Sequence, residues 1–163
     1  MKARLVASGL VLGIALVLAA CAPASSPTAE PVRIENGVQH VTYVSGSGDQ
    51  EYRFIPASLT LDAGQVQITY ANNGDIIHEL MLLDASDPDK LQEFIAAHEN
   101  EEEGGMEAEE MVPGVMVIPE LEDVETGTSQ TTDVFDLAAG NYLIACMKPG
   151  HYEKGMSVTL VVQ

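Results

Sequence analysis

Cys146-Met147-Lys148-Pro149-Gly150-His151-Tyr152-Glu153-Lys154-Gly155-Met156 is the stretch around which the rest of the chain can be arranged. It carries a thiol, an imidazole and a thioether, each separated from the next by four residues. Apolar segments flank it, Tyr142 to Cys146 before and Met156 to Val162 after. The reading is strand, loop, strand, with the loop gathering its three side chains around one point. Pro149 and Gly150 shape the turn that aims His151, and Gly155 allows the bend into Met156. Thiolate, imidazole and thioether form a soft, mixed ligand set. One more imidazole completes two His, one Cys and a weak axial Met, a set that tolerates both Cu(II) and Cu(I). His78, in Ile76-Ile77-His78-Glu79-Leu80, is the candidate for that fourth ligand.

Working outward, most of the chain reads as strand. Val38 to Val44 alternates roughly, Tyr52 to Pro56 is a short aromatic run, and Ser58 to Asp62 alternates through Leu59 and Leu61. Val66, Ile68 and Tyr70 alternate cleanly between the turn signals Ala63-Gly64 and Asn72-Asn73-Gly74. His78 to Leu83 is mostly apolar. Asp133 to Leu137 is a further strand, and Ala139-Gly140-Asn141 turns it into the next. Many short strands punctuated by turn residues predict an all-β fold, a Greek-key β-sandwich. One segment departs from this pattern. Asp87 caps and Pro88 opens a helix over about residues 88–99, with Leu91, Phe94 and Ile95 on one face. A run of glutamates with paired glycines follows, read as an acidic loop.

The N-terminus reads as an export signal over residues 1–20: Lys2 and Arg4, then an uncharged apolar run from Leu5 to Ala20. It ends Leu18-Ala19-Ala20-Cys21, which resembles the lipobox of bacterial lipoproteins, cut before a cysteine that is then lipidated. A lipid on Cys21 would anchor the protein to a membrane without a spanning helix. The alternative is an ordinary signal cut after an alanine. Residues 21–37, rich in Pro, Ser and Ala at their start, read as a lipidated flexible tether, and 38–163 as one domain. The expected location is exported, on a periplasmic or other extracytoplasmic membrane face.

Formal net charge is −18, with 25 acidic residues against 7 Lys and Arg. No basic patch for nucleic acid can be built from that balance. A strongly acidic surface suits a basic protein partner, a cytochrome or an oxidase, and would steer its approach. There are two cysteines. With lipid on Cys21, Cys146 has no disulfide partner, and metal ligation accounts for a lone thiol in an exported protein.

Two blocks together carry a family resemblance. The first is Tyr52-Arg53-Phe54-Ile55-Pro56, Leu59-Thr60-Leu61-Asp62-Ala63-Gly64, Val66 to Tyr70, Asn72 and His78. The second is Ala138-Ala139-Gly140-Asn141-Tyr142, Cys146, Pro149-Gly150-His151 and Gly155-Met156. Over about residues 50–84 and 133–163 the chain resembles the cupredoxins, the small blue copper proteins of the plastocyanin, azurin and auracyanin group. The resemblance implies one type-1 copper bound by His78, Cys146 and His151 with axial Met156, and electron exchange with redox partners through His151. Two features depart from the group. Glu79 follows His78 where several members have Asn or Ser holding the cysteine loop, and residues 85–128 are longer and more acidic than in the compact plastocyanins. No glycine precedes His78, so an extra carbonyl ligand of the azurin kind is not implied.

Other readings stand beside this one. Taken singly, Cys146, His78 and Met156 are each ordinary core residues. Zinc is disfavoured because Met is a poor zinc ligand. His40 and His98 read as surface histidines. Met106, Met111 and Met116 recur every fifth residue, which is no helical face, and copper capture by them is a minor alternative. No nucleophile triad or phosphate loop is present, so the protein is not expected to be an enzyme. Three functions therefore remain: a membrane-anchored electron carrier, a protein that delivers or stores copper for an oxidase, and a copper-free interaction domain.

Overall fold

A computed structural model describes residues 30–98, 112, 115 and 117–163. Among these residues ten strands form two sheets. The first sheet contains β1 (Val32–Glu35), β2 (Val38–Gly46), β4 (Gly64–Asn73) and β7 (Ser129–Thr131) in that order, with β8 (Phe135–Leu137) also pairing with β4. The second runs β3 (Ser58–Leu61), β10 (Ser157–Val162), β9 (Gly140–Ala145), β5 (His78–Asp84) and β6 (Val117–Val124). Two pairings are parallel, β2 with β4 and β3 with β10, and the others are antiparallel. The expected Greek-key β-sandwich is the observed architecture.

Alternation explains the interior. Val66, Ile68 and Tyr70 of β4 point inward and are wholly buried, as are Leu80 and Leu82 of β5, Ile144 of β9 and Leu160 of β10. A fully buried aliphatic or aromatic side chain contributes roughly 1.5–3 kcal/mol, so these residues fix the register of both sheets. The β5 sequence does not alternate because both of its faces are covered. Leu80 and Leu82 meet the sandwich interior, while Met81 and Leu83 meet a second cluster containing Leu91, Phe94 and Ile95. Those three belong to α1 (Pro88–His98), the helix predicted from their spacing. Asp87 caps it, accepting the Lys90 N–H through Oδ1 at 3.2 Å.

Three elements differ from the sequence reading. Strand β1 lies inside the segment 21–37 expected to be a flexible tether, so the ordered chain begins before Val38. Asn36 (φ 53°) and Gly37 (φ 85°) make the two-residue hairpin turn that pairs it with β2. Three of its four residues are exposed, so it carries little apolar signal. Strand β6 falls within the segment 85–128, read as longer and more acidic than in the compact plastocyanins, and β7 follows directly after it. The pairing of β6 with β5 is broken by two register shifts, and Asp123 has φ 47°, so no period of two survives in its sequence. Tyr52 to Pro56 is not a strand; only Ile55 bridges to Val44, while Phe54 turns inward between Tyr43 and Tyr70. The export signal, Cys21, the acidic loop and Met106, Met111 and Met116 lie outside the described residues.

Candidate metal centre

The loop after β9 is closed by its own backbone. The Cys146 N–H donates to the Met156 carbonyl at 3.1 Å, and the Met156 N–H donates to the His151 carbonyl at 3.1 Å. Between them, His151 N–H donates to Lys148 O at 2.9 Å and Gly155 N–H to Tyr152 O at 2.8 Å. Gly150 and Gly155 have φ of 75° and 91°, a region open to glycine at little cost. Cys146 and Met156 are therefore brought side by side at the mouths of β9 and β10, and both side chains are fully buried.

His78 arrives from the start of β5, next to β9, through a turn tied down by Asn72. The Asn72 side-chain amide donates to the carbonyls of Ile76 and Val124, each at 2.8 Å. Its oxygen accepts the Gly74 N–H at 2.9 Å and the Ser45 hydroxyl at 3.2 Å. One buried side chain thus joins β2, β4, the turn before His78 and β6.

These constraints bring three of the four sequence-predicted ligands to one point. His78 Nδ1 lies 3.1 Å from His151 Nδ1 and 3.9 Å from Cys146 Sγ, and Cys146 Sγ lies 3.2 Å from His151 Nδ1. Ligand atoms that each sit ~2.0–2.3 Å from one ion lie about 3–4 Å from one another. The buried trio therefore has the spacing that a single soft cation needs. Met156, the fourth sequence-predicted ligand, is buried at this end and placed by its backbone bonds to Cys146 and His151. His40 stands apart, hydrogen-bonded to Gln67 at 3.0 Å, and neither it nor His98 joins the trio.

Electrostatics suit metal uptake. Burial pushes the Cys146 thiol up to about 12, so a cation is needed to draw out the thiolate. Burial, followed by the positive potential of His78, Lys154 and Lys148, lowers His151 to about 4, leaving a neutral ring with a free nitrogen at neutral pH. Tyr52 packs edge-on against His151, with ring centres 5.1 Å apart, and Lys154 Nζ sits 4.1 Å from the centre of the Tyr52 ring. His151 is 8% exposed and His78 not at all, so His151 is the ring nearer to solvent.

Two carboxylates that the ligand pattern did not reveal border the trio. Glu51 Oε1 accepts from His78 Nε2 at 2.9 Å. Burial alone would raise its pKa, but hydrogen bonds from the Asp75 and Ile76 backbone and from His78 outweigh it, and the net shift is downward. Glu79 accepts the Met147 N–H at 2.5 Å and lies 3.7 Å from Lys148 Nζ, which also pairs with Asp123. Glu79 thereby holds the cysteine loop, the role expected of Asn or Ser at this position in the cupredoxins. Glu51 is one acid among 25 and shares no local spacing with the ligands, so no sequence signal marks it.

The arrangement of the two sheets is found in known structures. Auracyanin A, a "blue" copper protein from the green thermophilic photosynthetic bacterium Chloroflexus aurantiacus, superposes with a TM-score of 0.57 at 24% identity, over 78% of this chain and 100% of that one. Dithionite-reduced auracyanin from Roseiflexus castenholzii gives 0.59 at 18% identity, over 76% and 96%. An azurin from Methylomonas sp. strain J gives 0.52 at 18%, over 76% and 97%. The chain has the cupredoxin fold. Residues 113–163, which include the Cys146–Met156 loop, match the Sulfocyanin (SoxE) domain family. No curated protein sequence matches the chain.

Proposed function

We propose that this protein is a blue copper electron carrier, exported and held at a membrane by lipid on Cys21, with His78, Cys146, His151 and Met156 as its copper ligands. The observation that carries this reading is the convergence of His78 Nδ1, His151 Nδ1 and Cys146 Sγ within 3.1–3.9 Å of one another in a buried site. Copper bound there supplies a one-electron couple, Cu(II)/Cu(I). The chain does the rest. Burial of His78, Cys146 and Met156 excludes water. The loop's backbone bonds and the Asn72 anchor hold the ligands in place, so little rearrangement accompanies a change of charge.

Relatives in structure include auracyanin A, a "blue" copper protein by name, and a buried His, His and Cys cluster is consistent with such a site here. The His151 end, with Tyr52 and Lys154 against the ring, is the face that a redox partner would meet. The acidic chain would steer a basic partner, a cytochrome or an oxidase, from a distance. No helix among the described residues is long and apolar enough to cross a membrane, and the proposed anchor needs none.

The test is the visible spectrum of the protein with Cu(II), with Cys146→Ala as control. An intense blue thiolate-to-copper band, lost in the variant and bleached by reductant, is the expected result. A colourless protein that binds Cu(I) tightly would overturn electron carriage in favour of copper delivery. No uptake of either ion would leave a copper-free interaction domain.

A further inference from the structure

Glu51 has a position that neither general acidity nor solubility explains. It follows a 3-10 turn, Gly48–Gln50, and its side chain points inward until the residue is only 7% exposed. There its carboxylate accepts from His78 Nε2 at 2.9 Å and from the backbone N–H of Asp75 at 2.9 and 3.0 Å. A longer contact of 3.3 Å reaches the Ile76 N–H. Space is cleared for it: a Cβ on Gly74 would overlap the Glu51 carboxyl group. The other carboxylate buried among the described residues, Glu79, is balanced by Lys148. Among the described residues the one ion-pair partner seen for Glu51 is the His78 ring itself.

A carboxylate only accepts, so the hydrogen in the 2.9 Å contact sits on His78 Nε2. Nδ1, the nitrogen facing Cys146 and His151, is then the one left to bind a metal. Imidazole ligands commonly donate their second N–H to a carboxylate, which fixes the tautomer and raises the basicity of the ligating nitrogen. The adjacent residue supports the same ring: Tyr52 packs edge-on to His78 as well as His151, with the His78 ring centre 6.2 Å away.

We propose that Glu51 is the positioning residue of the metal centre, holding His78 as the Nε2–H tautomer with Nδ1 aimed at the ligand cluster and favouring the oxidised metal through its fixed negative charge. The metal part of this statement rests on the copper reading above; the tautomer part does not.

The test uses the full chain, metal-free and copper-loaded, with Glu51→Gln and Glu51→Ala. In the metal-free protein, imidazole nitrogen NMR is expected to show His78 protonated on Nε2, and Glu51→Ala to show a mixture of tautomers. In the copper-loaded protein, Glu51→Gln keeps a hydrogen-bond acceptor and removes the charge. It is expected to keep the blue band while its reduction potential rises above that of the parent. Glu51→Ala is expected to weaken copper binding by about 10- to 100-fold. An unchanged potential in Glu51→Gln would overturn the electrostatic role, and an unchanged His78 tautomer and copper affinity in Glu51→Ala would overturn the positioning role. If Glu51→Ala does not fold, Glu51→Gln still decides through the potential. A parent protein that takes up no copper would defeat the copper reading alone, because the tautomer measurement stands without metal.

Discussion

The Cys146–Met156 loop and the His78 side present proposed ligands to one site but hold them by different means. The loop is local: its backbone bonds join residues no more than ten apart, and two glycines at positive φ let it close. His78 is held from a distance. Asn72 reaches Val124, 52 residues on, and Glu51 reaches His78, 27 residues on. A locally closed loop depends on its own turn geometry, whereas a long-range anchorage depends on buried polar side chains with every partner in place. The two halves should therefore fail differently when perturbed.

The largest effect is expected from Asn72→Ala, which touches no ligand. It leaves buried carbonyls and N–H groups without partners on both sides of the sandwich, and should cost about 3 kcal/mol in denaturant unfolding. A loss below 1 kcal/mol would mean that water or backbone shifts replace the anchor, and the contrast between the halves would weaken. Gly74→Ala comes next. Its new methyl group displaces the Glu51 carboxylate, with an expected loss of about 2 kcal/mol and a shifted blue band in the copper form. An unshifted band would separate the His78 turn from the ligand geometry.

Gly155→Ala probes the other half. It imposes a side chain at φ 91°, at a cost of about 1–2 kcal/mol, and should weaken copper binding while the metal-free His78 tautomer stays as in the parent. A change of tautomer would show that the halves are coupled before metal binds. The smallest effect serves as a baseline. Among the described residues Tyr43 Oη is buried without a hydrogen-bond partner, so Tyr43→Phe should stabilise the core by about 1 kcal/mol in thermal or denaturant unfolding and leave the copper spectrum untouched. A loss of stability would reveal a partner for that hydroxyl.

The same contrast explains what could be read in advance. Strands β2, β4, β5, β9 and β10 follow from alternation or apolar runs, and α1 from the spacing of Leu91, Phe94 and Ile95 with Asp87 as cap. Their signals are local and apolar. Strand β6 was missed because its bulges break the period, and β1 because an exposed edge strand needs few apolar residues, although Asn36-Gly37 does mark its turn. At the site, Cys146, His151 and Met156 were legible from spacing and His78 from its residue type beside an apolar run. Glu79 was visible as a departure from the cupredoxin pattern, but its bond to the Met147 N–H was not. Glu51 was invisible, since its role comes from contact alone.

The sequence by itself determined the sandwich class, the helix and the composition of the proposed ligand set, because periodicity, caps and ligand-bearing residue types are written along the chain. Tertiary structure alone decided which nitrogen of His78 faces the cluster, that Glu51 and Glu79 border it and how Asn72 bridges the sheets. Those outcomes depend on hydrogen bonds between groups brought together only when the two sheets pack, and no spacing within the chain encodes them.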